Sequence, residues 1–196
     1  VTTGSTYDST TDVPTLTSAT AANFAVLNPL TGGSSTTSDG NLAATIAPVN
    51  GARVSTIAVT SGKFYCEMVA TTVNGYFVMG IGAPYSKGWD TSQESSPNSI
   101  TWATSGASSP YVQAKGSWTL SSNTISTTYT TGDVVGIALN MDSNTLTFYK
   151  NGTSQGSMTI NTQGIPAAFL IGNSSGASNG AGFVNFGQRP FTYTPP

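Results

Sequence analysis

The stretch GDVVGIALNMDSNTLTFYKNG, residues 132–152, decides the fold. Successive side chains of an extended chain point to opposite faces, so Val135, Ile137, Leu139 and Met141 share one face. Val134, Gly136, Ala138 and Asn140 take the other. Asp142-Ser143-Asn144 turns the chain, and Leu146 and Phe148 rejoin the apolar face with Thr145, Thr147 and Tyr149 opposite. Asn151-Gly152 then closes a second hairpin, because a type I′ turn needs positive φ at both central residues and Asn-Gly supplies it. The pattern predicts an antiparallel sheet with one face buried.

The same period continues outward from this centre. Lys63 to Thr72 alternates with Phe64, Cys66 and Met68 on one face and Tyr65, Glu67 and Val69 on the other. Asn74-Gly75 is expected to form a hairpin turn into Tyr76–Ile81, where Gly80 and Gly82 suggest close backbone approach or a bulge. Leu42–Pro48 and Ala52–Val59 read as strands, and Phe24–Leu30 as a short apolar element ended by Pro29. Ser117–Tyr129 reads as an exposed, Thr-rich strand, Ile165–Gly172 as a continuous apolar strand and Phe183–Phe186 as the last one. Pro84–Pro110 is the least regular part. No helical period persists, and no repeat of 20 to 50 residues is evident. The expected fold is all-β: two antiparallel sheets packed as a sandwich. Residues 1–22, rich in Thr, Ser and Asp, are expected to be an arm or linker, and residues 23–196 the domain.

Composition narrows the function. Of 196 residues 26 are Ser and 32 Thr, while only 7% are charged, against about 25% in ordinary globular chains. A hydrophobic share of 37% rules out the disordered reading of so polar a surface. With a net charge of −2 and six scattered cations, neither nucleic acid nor an anionic membrane is an expected partner. No run of 18 apolar residues occurs. The single Cys66 lies inside an apolar run and reads as a buried structural thiol.

No histidine occurs, which removes Ser-His-Asp and Cys-His catalysis and imidazole metal sites. The eight acids are Asp8, Asp12, Asp39, Glu67, Asp90, Glu94, Asp133 and Asp142. None forms the same-face pair that glycoside hydrolysis requires. Asp133 and Asp142 read as turn residues, and Glu67 as a buried, hydrogen-bonded carboxylate. Asp90, Glu94 and Asn98 are a loop set of oxygen ligands too sparse for calcium. No cofactor, metal or catalytic residue is expected. Binding is the better class, because aromatic rings stack on sugars and small ligands beside polar groups. Tyr85, Trp89, Asp90, Trp102, Tyr111 and Trp118 gather in or beside the 85–118 loops and form the expected ligand-binding set. The competing reading makes Trp102 and Trp118 core plugs. Asn151-Gly152-Thr153 and Asn173-Ser174-Ser175 fit the N-glycosylation pattern, Asn151 more simply as a turn residue.

Several segments together resemble the SPRY domain, a concanavalin A-like β-sandwich. They are Gly62-Lys63-Phe64-Tyr65-Cys66-Glu67, Gly132-Asp133-Val134-Val135-Gly136, Thr145–Gly152, Ile165-Pro166-Ala167-Ala168 and Val184–Phe191. Asp12–Thr15, Asn23–Leu30, Asp39–Leu42, Val59–Lys63 and Arg189–Tyr193 look like the version found in structural proteins of tailed bacteriophages. In such proteins the sequence usually runs on past the position of Pro196. This likeness implies a non-enzymatic virion surface protein, a capsid decoration or a fibre or tail module. Its expected partners are other virion proteins and copies of itself, and adhesion to a host-surface glycan is a task the loops could serve. Likeness to cellular SPRY domains implies the alternative, a protein-interaction adaptor that reads a short peptide. A polysaccharide-cleaving enzyme ranks third.

Overall fold

The alternation in residues 132–152 becomes two antiparallel strands in a computed structural model, and the Asn-Gly turn leads into a third. The structure describes residues 24–31, 33–48, 51–84, 98–104, 111–123, 125–173 and 178–196. Thirteen strands run along them: β1 (Thr36–Ser38), β2 (Ala43–Ile46), β3 (Gly51–Val59), β4 (Lys63–Thr72), β5 (Phe77–Gly82), β6 (Ser99–Ala103), β7 (Tyr111–Lys115), β8 (Thr119–Ser121), β9 (Val134–Asn140), β10 (Thr145–Lys150), β11 (Thr153–Asn161), β12 (Ala167–Asn173) and β13 (Gly180–Asn185). No helix occurs among the described residues. One sheet has eight strands in the order β1-β2-β13-β4-β9-β10-β11-β8, the other five in the order β3-β12-β5-β6-β7. Every strand pair is antiparallel, so the expected sandwich is the observed fold.

The core lies between the sheets. Cys66 and Met68 of β4, Val135, Ile137 and Leu139 of β9, and Leu146 and Phe148 of β10 are all buried there. Burial, with the Glu67 carboxylate nearby, pushes the Cys66 thiol well above its ordinary range, as suits an inert structural thiol. Phe64, at the rim, is 38% exposed. Trp102 of β6 joins the sheets, meeting Phe148 edge-on at 5.6 Å and Tyr129 at 5.1 Å between ring centroids. Its Nε1 donates to the Thr127 carbonyl at 3.1 Å, and the Tyr129 hydroxyl donates to the carbonyls of Phe77 (3.0 Å) and Trp102 (3.1 Å). Removing a buried ring of this size costs about 3–5 kcal/mol.

Two expectations about connections are corrected. Asn74-Gly75 does not join a hairpin, because β4 and β5 belong to different sheets. The chain bends there, with Gly75 at φ 61°, and passes from one sheet to the other. Turn chemistry fixes a change of direction and leaves the pairing open. Ser117–Tyr129 is not one exposed strand either: only Thr119–Ser121 pairs, with β11. Trp118, Ile125 and Tyr129 of that segment are buried, so it closes one opening of the core. Gly80, by contrast, is the expected close approach, since a Cβ there would strike the Ile100 carbonyl and the Thr101 backbone. The expected arm, residues 1–22, lies outside the described residues.

The second hairpin turns at Asn151 (φ 49°) and Gly152 (φ 78°) as the dipeptide predicts. Asp133 ties it down. Its carboxylate accepts hydrogen bonds from the Thr130 amide (2.8 Å) and Asn151 Nδ2 (2.8 Å) and pairs with Lys150 at 3.1 Å. Burial alone would raise the Asp133 carboxyl, but these donors outweigh it and hold the group below its ordinary range. The stabilisation is therefore complete above the unfolded carboxylate value of about 3.9 and is lost as pH falls through the lower folded value. Because the network is partly open to solvent, it is worth about 1 kcal/mol after screening. Thermal denaturation against pH should show Asp133→Asn less stable than wild type at pH 7, the gap closing below about pH 4. A gap that does not narrow in acid would contradict this role.

Candidate functional site

Register makes a site on the outer face of the eight-stranded sheet. Tyr65 and Thr147 both lie opposite Ala138, and Glu67 and Tyr149 both lie opposite Gly136, on either side of β9. All project away from the core because their neighbours Cys66, Ile137 and Phe148 project into it. Gly136 is what lets them converge: a Cβ there would lie 2.5 Å from the Tyr65 hydroxyl and 3.1 Å from Tyr149 Cβ. The two rings meet edge to face at 6.4 Å.

The segment after β13 completes the site by crossing the same face. Asn185 Nδ2 donates to the carbonyls of Arg189 and Pro190, both at 3.1 Å, and bends the chain back. Phe191 then packs edge-on against Tyr65 at 5.0 Å. The Thr192 amide donates to Glu67 Oε2 at 2.7 Å and the Tyr193 amide to Oε1 at 2.8 Å, with the Tyr65 hydroxyl donating to Oε1 at 3.4 Å. Glu67 is 2% exposed. It is the buried, hydrogen-bonded carboxylate that alternation predicted, and its acceptors are engaged by backbone amides. Burial, then the adjacent Glu67 carboxylate, pushes the Tyr65 phenol far above its ordinary range, so it remains a donor.

Between β4 and β10, over β9, lies a groove of about 300 Å³, lined by Lys63, Tyr65, Asn140, Thr145, Thr147 and Tyr149, with Pro196 on its wall. Its size is at the lower end of ligand pockets. No carboxylate side chain lines it, and the Lys63 ammonium is its charged side chain. Among the described residues no cluster of His, Cys, Asp and Glu could hold a metal ion.

Of the binding set expected in the 85–118 loops, the structure describes the side chains of Trp102 and Trp118. Tyr85, Trp89 and Asp90 lie outside the described residues, as does Glu94. Tyr111 opens β7 opposite Ala103. Trp102 and Trp118 are 0% and 2% exposed, so neither offers a ring face to a ligand. They are core plugs, packed among the buried side chains of the main hydrophobic cluster. Asn98 is committed too, its Oδ1 accepting from the Ser117 amide at 2.6 Å and the Ser117 hydroxyl at 3.1 Å. What the sequence reading missed is the Tyr65–Tyr149 pair. Its signal was two tyrosines on the outward phase of β4 and β10, flanking a glycine on β9.

Glu67→Gln tests how the strap is held. Glutamine keeps one acceptor oxygen where two amides need one each, so about 2–3 kcal/mol should be lost. Chymotryptic cleavage after Phe191 and Tyr193 should quicken, and the melting temperature should drop. Unchanged cleavage would show that the strap does not depend on this carboxylate.

The sequence matches the SPRY domain profile over residues 71–187, more than half of the chain. The fold is similar to the crystal structure of the SPRY domain of human HERC1, with a TM-score of 0.65 and 14% identity over 84% of this chain and 99% of that one. It is also similar to the TRIM65 PSpry domain, with a TM-score of 0.57 and 13% identity over 83% of this chain and 92% of that one. No curated protein sequence matches. At these identities the structures speak for the fold, and the profile speaks for the family: the chain belongs to the SPRY domain family.

Proposed function

We propose that this chain is a non-enzymatic binding module that holds an extended segment of a partner protein in the groove between β4 and β10. The observation that carries this reading is the pair of outward tyrosines, Tyr65 and Tyr149, beside polar groups in a depression of about 300 Å³. Aromatic rings supply large contact area at low entropic cost, and polar groups around them fix orientation. Membership of the SPRY family supports an adaptor role. The engagement of Glu67 by backbone amides supports a non-catalytic one, since a general acid or base needs a free oxygen facing its substrate.

A place on a virion surface is the second reading. One observation favours it: with 7% charged residues, this exterior sheds few hydration shells when packed against copies or a capsid. The comparisons lend it no support, so the adaptor reading ranks first.

Selection of random peptides against the intact protein tests the leading reading. Selected peptides should bind with about micromolar Kd, a usual range for a small groove, and Tyr149→Ala should weaken them about tenfold or more. Peptides that bind wild type and Tyr149→Ala equally would place the interaction elsewhere.

A further inference from the structure

The polar groups around the groove are unbalanced. Asn140 spends its Oδ1 on the amides of Asp142 and Ser143, both at 3.1 Å, which turns its Nδ2 outward as a donor. Among the described residues, Lys63 is in neither ion pair; these are Lys150–Asp133 and Arg189–Asp39. The Tyr149 hydroxyl lines the groove and can donate or accept. The Thr145 and Thr147 hydroxyls are already paired with Ser143 (2.9 Å) and Ser157 (2.6 Å). With no carboxylate side chain in the lining, the ammonium and amide donors are matched only by hydroxyl acceptors, and two aromatic rings stand beside them.

A ligand that suits it is richer in acceptors than in donors. Most peptides and all neutral sugars carry both in similar number, so more of their N–H or O–H groups would lose water than the hydroxyl acceptors of the lining can take up. Proline is the exception: it has no N–H, and a polyproline II helix makes no internal hydrogen bonds, so every carbonyl is free to accept. Dimensions agree. From β4 across β9 to β10 is two strand spacings, about 10 Å, and one three-residue turn of polyproline II rises about 9 Å. The chain itself supplies a precedent, because Pro196 lines the groove together with both tyrosines.

We infer that the groove is a polyproline II site, with Tyr65 and Tyr149 receiving proline rings while Lys63, Asn140 and the Tyr149 hydroxyl donate to the ligand's carbonyls. This inference rests on the proposed reading of the groove as a peptide site and names its partner, a proline-rich segment.

End-blocked nonaproline, titrated calorimetrically into the intact protein, is the direct test. Binding should weaken about tenfold for Tyr149→Ala and about threefold for Tyr149→Phe and for Lys63→Met, each of which removes one donor. Lys63 is exposed, so Lys63→Met keeps the test valid should Tyr149→Ala fail to fold. A Gly/Ser peptide of equal length should not bind. If proline-free selected peptides bind in a Tyr149-dependent way and nonaproline does not, the proline preference is wrong and the peptide groove stands. If neither binds there, both fall. Preference for a neutral gluco-oligosaccharide over nonaproline would overturn the inference in favour of a glycan site.

Discussion

One constraint governs both the interior and the outer face: the register of β4 against β9 and of β9 against β10. A strand has two faces, so the pairing that sends Cys66, Ile137 and Phe148 inward sends Tyr65, Ala138 and Tyr149 outward. Slipping either pair by one residue would expose the core side chains and bury the tyrosines. The cost of that exchange, several fully buried apolar side chains at about 1.5–3 kcal/mol each, fixes the site as firmly as it fixes the core. The groove is thus a by-product of packing, and the same packing holds its lining rigid.

On that fixed face, two residues do the shaping in opposite ways. Gly136 acts by absence, leaving space over β9 that the phenols of β4 and β10 share. Glu67 acts by charge, a buried carboxylate accepting two backbone amides from the strap. A buried acid without partners would be expensive, and here the partners come from a segment that would otherwise leave its own amides unpaired. The same bonds explain why Glu67, the most buried acid among the described residues, is structural. Chain reversal, aromatic packing and a satisfied carboxylate together hold residues 189–193 on the outer face, beside Tyr65.

Much of the fold was legible because its determinants are local. Alternation in 63–72 and 134–150 gives strands with the observed faces, and Asn151-Gly152 gives the turn it encodes. Pairings between distant strands were not legible, since sequence period does not say which neighbour a strand takes. Asn74-Gly75 shows the difference: the bend is encoded locally, the choice of sheet is not. In 117–129 the abundance of Ser and Thr masked Trp118, Ile125 and Tyr129, which the core needs to close its opening. The site was hidden for the same reason. Tyr65 and Tyr149 are 84 positions apart and become neighbours only through β9, whereas the tryptophans that drew attention, Trp102 and Trp118, are large enough that the core claims them. Family membership was legible in short motifs, and the profile match bears it out. The finer likeness to phage structural proteins found no such support.

The most direct test of the account is the set of through-space contacts of the Tyr65 ring, measured by NMR on the intact protein. The observed register predicts proximity to the Phe191 and Tyr149 rings, whose centroids lie 5.0 and 6.4 Å away. Contacts from Tyr65 to Ile137 or Phe148 instead would mean that β4 presents its other face, and that the groove does not exist.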